Sequence, residues 1–240
     1  MRGPYSDYAA PPVYVYSQPA PQGIRFSRTE LYQLAVAILA LSAAFTVVTL
    51  NPFYGGTANL AYFPSDVAGI GFFFLAALVS VGSGVGLHEI MHKITAERYG
   101  YWAEFRYSLR GLAMAFMFAF LGFIFGAPGA TYISGPVNRE QNGRISAAGP
   151  VTNIVLGAGF FGLVLLLYPM AFTAAAAAYA VLLFEYAASV NLILAGFNMI
   201  PIMPLDGAKV WHWNKGIWVG ILAVVALILG TGAYLGYLFL

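Results

Sequence analysis

Hydrophobic residues in this chain are concentrated in long runs separated by short polar stretches. A helix needs about 20 apolar residues to cross the roughly 30 Å hydrocarbon core of a bilayer. Five runs reach that length, at residues 31–50, 67–87, 145–168, 171–199 and 217–240. We expect the second run to continue as a helix past Arg98. A sixth run, 111–127, is shorter. The pattern therefore predicts an all-α polytopic membrane protein with five to six transmembrane helices.

In one short stretch, apolar and polar residues alternate instead of forming a long hydrophobic run. Between residues 103 and 110, the apolar residues Ala103, Phe105 and Tyr107 alternate with polar ones. A period of two is typical of a half-buried strand. The segment "GATYIS" at 129–134 could pair with it. We therefore expect a small membrane-associated β-hairpin or re-entrant segment in this region.

The basic residues orient the predicted helices. If 111–127 does not cross, all eleven basic residues lie on one side: Arg2, Arg25, Arg28, Lys93, Arg98, Arg106, Arg110, Arg139, Arg144, Lys209 and Lys215. Such residues accumulate on the cytoplasmic side of a membrane. This favours five crossings, with the N terminus and the small sheet cytoplasmic, although six crossings stay open. We expect a multi-pass protein in the cell membrane of a prokaryote.

Composition supports the membrane assignment. Hydrophobic residues make up 60% of the 240 residues and charged residues only 8%, against about a quarter charged in soluble domains. Cysteine is absent, which excludes thiolate metal sites and disulfides. The net charge of +2 does not favour nucleic acid as a partner. Residues 1–30, rich in Pro and Tyr, are expected to form a flexible cytoplasmic tail before a domain at 31–240.

Candidate chemistry appears at the end of the second run, in "HEIMH". His88 and His92 are four residues apart, so both imidazoles lie on one helix face and could bind one zinc ion. Glu89 could accept a proton from an activated water. The five-residue pattern also occurs by chance, and a polar cluster joining helices is the alternative. Ionisable residues within membrane spans are, however, functional by default.

A third ligand is required, because catalytic zinc usually has three protein ligands. The segment "FNMIPIMPLDGAKVW" at 197–211 supplies Asp206 after two prolines, Pro201 and Pro204, that interrupt a helix. Asp206 could instead cap the following helix. In a membrane metalloprotease of another family, Glu185 or Glu140 would be the third ligand.

These motifs resemble the site-2 protease family of intramembrane zinc metalloproteases, peptidase family M50, in a compact form without a PDZ or CBS domain. The resemblance rests on "HEIMHKITAERYG", "NMIPIMPLDG" and "AAGPVTN". It implies one zinc ion per chain, with His88, His92 and Asp206 as ligands and Glu89 as general base and acid. It also implies that Asn198 contacts the substrate carbonyl or oxyanion.

The resemblance implies substrates that are transmembrane segments of membrane-anchored proteins, cleaved within the lipid bilayer. Four further residues are candidates for substrate contact: Phe105, Tyr107, Asn153 and Lys209. Asn153 could instead stabilise helix packing, and Lys209 could instead contact phosphate headgroups. The strand at 103–110 could hold an unwound substrate by edge pairing. A non-catalytic transporter or metal-handling membrane protein remains the alternative from another functional class.

Overall fold

The computed structural model describes residues 23–50 and 67–238. Its elements, in chain order, are helices α1 (Arg28–Leu50), α2 (Val67–Val81) and α3 (His88–Arg98), strand β1 (Trp102–Tyr107), helix α4 (Leu109–Phe120), strand β2 (Gly129–Ser134), and helices α5 (Arg139–Ala171), α6 (Ala175–Asn198), α7 (Asp206–Trp213) and α8 (Lys215–Tyr234). A π-helix, Gly82–Leu87, joins α2 to α3. Helix α5 is central and packs against α3, α6 and α7.

Within the described residues, five helices are long and apolar enough to cross a membrane: Arg28–Leu50, Ala68–Arg98, Arg139–Ala171, Ala175–Asn198 and Lys215–Tyr234. They coincide with the five predicted runs, which confirms the predicted fold class. The sixth run forms the 12-residue α4, which is too short to cross a bilayer as a helix. The second span ends at Arg98 instead of continuing beyond it.

Three helices, α1, α5 and α8, begin earlier than the hydrophobic runs because polar side chains cap them. Ser27 Oγ accepts the Glu30 backbone N–H at 3.0 Å, so α1 begins at Arg28 and not at residue 31. Asn138 and Gln141 form a reciprocal capping box that starts α5 at Arg139. Asn214 Oδ1 accepts the Ile217 N–H at 3.1 Å, so α8 begins at Lys215 and not at residue 217. Residues 1–22 of the predicted tail lie outside the described residues.

The predicted strand pairing is present. Strands β1 and β2 are antiparallel, with Phe105 opposite Thr131 and Tyr107 opposite Gly129. Helix α4 separates them, so the pair is not a tight hairpin. Strand β1 also ends at Tyr107 rather than at residue 110, because Ser108 accepts the Gly111 N–H and caps α4.

Side chains of α1 cover the outer edge of β1. The Phe105 N–H donates to Glu30 Oε1 and the Tyr107 N–H donates to Gln33 Oε1, each at 3.0 Å. Glu30 itself is only 1% exposed. These bonds satisfy the backbone groups that a neighbouring strand would otherwise use. The edge of β1 expected to pair with substrate is therefore occupied by the protein itself.

A buried lysine ties α1 to the helix that carries the histidines. Lys93 Nζ lies 3.1 Å from Glu30 Oε2 and 2.8 Å from Glu97 Oε1, and it donates to the Ala103 carbonyl of β1. Beside this cluster, burial acts to raise the pKa of Glu104. Hydrogen bonds from Arg106 and Ser27 outweigh that effect and lower the pKa. Glu104 is thus buried as an ion pair, although the strand pattern placed it on the polar face.

Candidate metal centre

Three side chains from two separate parts of the chain converge at the end of the second span. His88 Nε2 lies 3.2 Å from Asp206 Oδ2, and His92 Nε2 lies 3.0 Å from the same oxygen. The two Nε2 atoms are 3.0 Å apart. All three residues are buried, and together they could hold a metal ion.

The outer nitrogens of both imidazoles have oxygen acceptors. His88 Nδ1 lies 3.0 Å from Asn153 Oδ1, and His92 Nδ1 lies 2.7 Å from the Ile145 carbonyl oxygen. An imidazole that donates through Nδ1 keeps the lone pair of Nε2 for a metal. Two such nitrogens and one carboxylate form a common donor set for zinc in catalytic sites. The residues therefore fit a zinc ion.

Gly149 makes room for this arrangement. A Cβ at that position would lie 2.6 Å from Nε2 of His88 and 2.6 Å from Nε2 of His92. Only a residue without a side chain lets α5 approach both imidazoles so closely. One turn further along α5, Asn153 donates to the Gly84 carbonyl of the π-helix at 2.9 Å while facing His88. Asn153 thus joins the π-helix to the metal centre.

The interrupted segment between α6 and α7 delivers the carboxylate. Asp206 is the first residue of α7, which begins after non-helical backbone that includes a cis Met203–Pro204 bond. Gly207 lets this turn pack tightly, since a Cβ there would lie 2.2 Å from the Met199 carbonyl. Trp218 Nε1 donates to the same carbonyl at 2.7 Å. Lys209 Nζ lies 3.3 Å from Asp206 Oδ1, the oxygen that does not face the histidines.

Glu89 is held by a residue that the sequence did not indicate. Thr131 Oγ1 lies 2.8 Å from Glu89 Oε2 and 3.1 Å from the Glu89 carbonyl oxygen. Thr131 belongs to β2, so the small sheet reaches the carboxylate next to the metal centre. No spacing in the sequence relates residue 131 to residue 89, and only the strand register brings them together.

Of the other predicted site residues, two contact the metal-binding cluster and three do not. Asn153 and Lys209 contact the cluster itself, through His88 and Asp206. Asn198 donates to the Leu194 carbonyl of its own helix at 3.0 Å. Phe105 is 2% exposed and packs in the core with Leu34, and its neighbour Tyr107 is half-buried.

The alternative ligands lie outside the cluster. Glu140 pairs with Arg144 on the exposed start of α5. Among the described residues, the group able to hold a metal contains neither Glu140 nor Glu185. The third histidine of the chain, His212, faces the Ala208 carbonyl of its own helix.

Comparison with known proteins agrees with this geometry. Residues 76–220 match peptidase family M50 and include all three members of the cluster. The chain belongs to that family. It is also 38% identical over 196 residues to a protein of Methanocaldococcus jannaschii that is described as a candidate zinc metalloprotease. That alignment covers 81% of this chain and 89% of the relative. No solved structure matches the chain.

Membership of M50 and the apolar helices identify the chain as an integral membrane metalloprotease. The family and the archaeal relative support zinc as its metal. The donor set described above is consistent with that metal.

Proposed function

We propose that this M50 protease is a zinc-dependent intramembrane endopeptidase that cleaves transmembrane segments of membrane-anchored proteins. The observation that carries the proposal is the position of the buried cluster His88, His92 and Asp206. Two of its members lie on the helix Ala68–Arg98, which is long and apolar enough to cross a membrane. His88 and His92 precede Arg98 by ten and six residues, or roughly 15 and 9 Å along a helix. If Arg98 marks the headgroup level, the metal centre lies inside the bilayer near one face.

In this proposal, His88, His92 and Asp206 hold the zinc ion. Zinc would supply Lewis-acid activation of a water molecule. Asn153 and the Ile145 carbonyl keep the two imidazoles in the orientation and tautomer that metal binding requires. Lys209 holds the far oxygen of Asp206, which favours an orienting role over the substrate contact expected from the sequence.

Glu89 carries the proton transfer. One of its carboxylate oxygens accepts a proton from the attacking water and passes it to the nitrogen of the departing amine. The side chain of Asn198 would donate to the substrate carbonyl once it turns away from the Leu194 carbonyl that it contacts here. Both residues would act near the end of the span, where water would enter past the interrupted backbone between Asn198 and Asp206.

A helical substrate must unwind before cleavage, and β2 is the better candidate to receive the extended chain. The backbone N–H groups of Phe105 and Tyr107 face α1. In an antiparallel pair, the backbone N–H groups of the residues opposite them on β2 therefore point away from β1. Within the described residues, no hydrogen bond reaches the backbone N–H of Thr131 or Ile133. A substrate strand paired at this edge would run next to Glu89.

The distribution of basic residues supports a cytoplasmic position for the metal centre. The four basic residues Lys93, Arg98, Arg106 and Arg110 belong to or follow α3, and Lys209 and Lys215 lie on α7 and at the start of α8. By the positive-inside rule, the metal centre and the N terminus face the cytoplasm. We place the protein in the cell membrane of a prokaryote, with transmembrane proteins and the lipid bilayer as partners and no nucleic acid. Residues 31–240 would form the protease domain.

The test combines zinc quantification with cleavage of a membrane-anchored test substrate by the purified full chain. We expect wild-type protein to contain zinc and to cleave. Glu89→Gln should retain zinc and lose cleavage, because only the proton carrier is removed. Asp206→Ala should lose most of its zinc and most of its cleavage activity.

Two outcomes would contradict the proposal. Zinc-loaded wild-type protein that leaves transmembrane substrates intact would favour a transporter or metal-handling role. Full zinc retention by Asp206→Ala would favour a metalloprotease with a different third ligand, with Glu185 and Glu140 as the next residues to substitute.

A further inference from the structure

We propose that Thr131 is a positioning residue for the general base, and that its hydroxyl holds the Glu89 carboxylate in the orientation needed for proton transfer. This inference rests on the proposed function of Glu89. Among the described residues, the Thr131 hydroxyl is the only group that hydrogen-bonds the Glu89 carboxylate, at 2.8 Å from Oε2. It also lies 3.1 Å from the Glu89 backbone carbonyl oxygen. Contact at two points of the same residue fixes the position of the hydroxyl relative to Glu89.

Strand β2 holds the backbone of Thr131 in a fixed position over α3. Gly129, Thr131 and Ile133 are the half-buried residues of β2, while the three residues between them are exposed. Thr131 is therefore on the face that lies over α3. On the same face, Ile133 packs against Ala96, Ala103 and Ile145, and Phe105, opposite Thr131, is buried.

Threonine suits this role for a physical reason. Its β-branched side chain has restricted χ1 freedom in a strand, so the hydroxyl stays where the backbone places it. Without the hydroxyl, the Glu89 carboxylate would rotate among its other rotamers. A general base must lie within hydrogen-bond reach of the proton that it accepts, so this rotation would reduce turnover. Substrate binding through backbone groups of β2 would be unaffected.

Two substitutions separate the hydroxyl from the shape of the side chain. Thr131→Val keeps the branched shape and removes the hydroxyl, whereas Thr131→Ser keeps the hydroxyl. We expect Thr131→Val to lower kcat roughly 10- to 100-fold, since a misplacement of about 1 Å at a reacting centre can cost about 100-fold. KM and zinc content should stay near wild type, and Thr131→Ser should recover most of the activity. Thr173→Val is the matched control, since Thr173 is exposed beyond the far end of α5.

A second measurement does not depend on activity. The unfolding midpoints of wild type, Thr131→Val, Glu89→Ala and the double variant form a double-mutant cycle. Alanine is used at residue 89 because glutamine would keep a side-chain oxygen that accepts from Thr131. A direct hydrogen bond predicts that the two single effects are not additive. Additive effects would overturn the contact, whether or not the protein cleaves any substrate tested.

The outcomes distinguish this inference from the proposed function. Wild-type cleavage together with equal turnover by Thr131→Val would overturn the role of Thr131 and leave the protease proposal intact. A raised KM with unchanged kcat would make Thr131 a substrate contact instead. A Ser variant no better than the Val variant would reduce Thr131 to a packing residue. If the wild type fails to cleave, the protease proposal fails, and the cycle alone then decides whether Thr131 holds Glu89.

Discussion

Gly149 lies so close to His88 that a methyl group on its Cα would sit 2.6 Å from the imidazole Nε2. That distance is well inside van der Waals contact. The helix carrying "AAGPVTN" and the helix carrying "HEIMH" therefore meet at the metal centre, with no space for a side chain between them.

Gly149→Ala should damage metal binding. The new methyl group would push on both imidazoles, and overpacking of this kind costs about 1–3 kcal/mol. Expressed in zinc binding, that range is roughly a 5- to 150-fold loss of affinity. Competition with a chromogenic chelator measures the change.

Gly159→Ala is the matched control for this prediction. Gly159 belongs to the same helix α5, and a Cβ added there meets no atom within 4 Å. It should bind zinc as wild type does. Equal zinc affinity in both variants would contradict the close approach of α5 to the imidazoles.

Asn153→Leu should weaken zinc binding without unfolding the protein. The substitution removes the acceptor of the His88 Nδ1 hydrogen and leaves the imidazole free to turn or to change tautomer. Loss of such an outer partner typically lowers metal affinity 10- to 100-fold. Chelator competition, with the unfolding midpoint recorded in parallel, gives the result.

Asn191→Leu provides the comparison. Asn191 is as completely buried as Asn153, but it bonds to Ser83 and to the Ala187 carbonyl rather than to a histidine. Its zinc affinity should stay near wild type. If both variants lose affinity equally, the effect comes from general helix packing and not from the orientation of His88.

Lys93→Met should strongly destabilise the fold. It would leave the carboxylates of Glu30 and Glu97 without their buried cation, and removing one partner of a buried ion pair costs about 3–5 kcal/mol. A lower midpoint of thermal unfolding in detergent is the expected result. The double variant Glu30→Gln/Lys93→Met should recover part of the loss.

The exposed ion pair Glu140–Arg144 is the control for the unfolding midpoint of Lys93→Met. Arg144→Met breaks an ion pair at the exposed start of α5, where such a pair contributes only about 0.3–0.5 kcal/mol. Similar midpoints for Lys93→Met and Arg144→Met would show that Lys93 does not stabilise the fold as a buried ion pair.

The sequence was sufficient to predict the five membrane-spanning helices and the three residues of the cluster that could hold a metal ion. Long apolar runs have few alternatives to helices, and the spacing of His88 and His92 fixes a shared face. The starts of α1, α5 and α8 were missed because the hydrophobic pattern does not show which polar side chains cap a helix. The pattern Ser27-x-x-Glu30, a sequence signature of a helix start, could have indicated the first of them.

What could not be predicted depends on contacts between distant segments. The burial of Glu104 follows from Arg106 and Ser27, and the second residue belongs to a segment that looked like a flexible tail. The occupied edge of β1 follows from Glu30 and Gln33, which read as ordinary polar residues of a helix. Periodicity describes one element at a time, so it cannot show which element covers another.

In the part of the chain that the structure describes, no strand pairs with the outer edge of β2. Proline removes a backbone N–H and is tolerated on an edge strand where that N–H faces outward. Ile133→Pro should therefore keep the fold and weaken pairing of a substrate strand. We expect a several-fold higher KM, with zinc content close to wild type. The unfolding midpoint should fall no further than that of Ile133→Ala, which loses the same packing against Ala96 and Ile145 but keeps the backbone N–H. Proline at Phe105 or Tyr107 is a poorer probe, because it would remove the bonds to Glu30 and Gln33.

Ala130→Pro shows what proline does on the other side of the same strand. Ala130 is opposite Arg106, and its N–H faces β1 in the alternating antiparallel pattern. This variant should lower the unfolding midpoint, since it breaks the ladder. Unchanged KM for Ile133→Pro, in protein that is folded and zinc-loaded, would mean that substrates do not pair with β2.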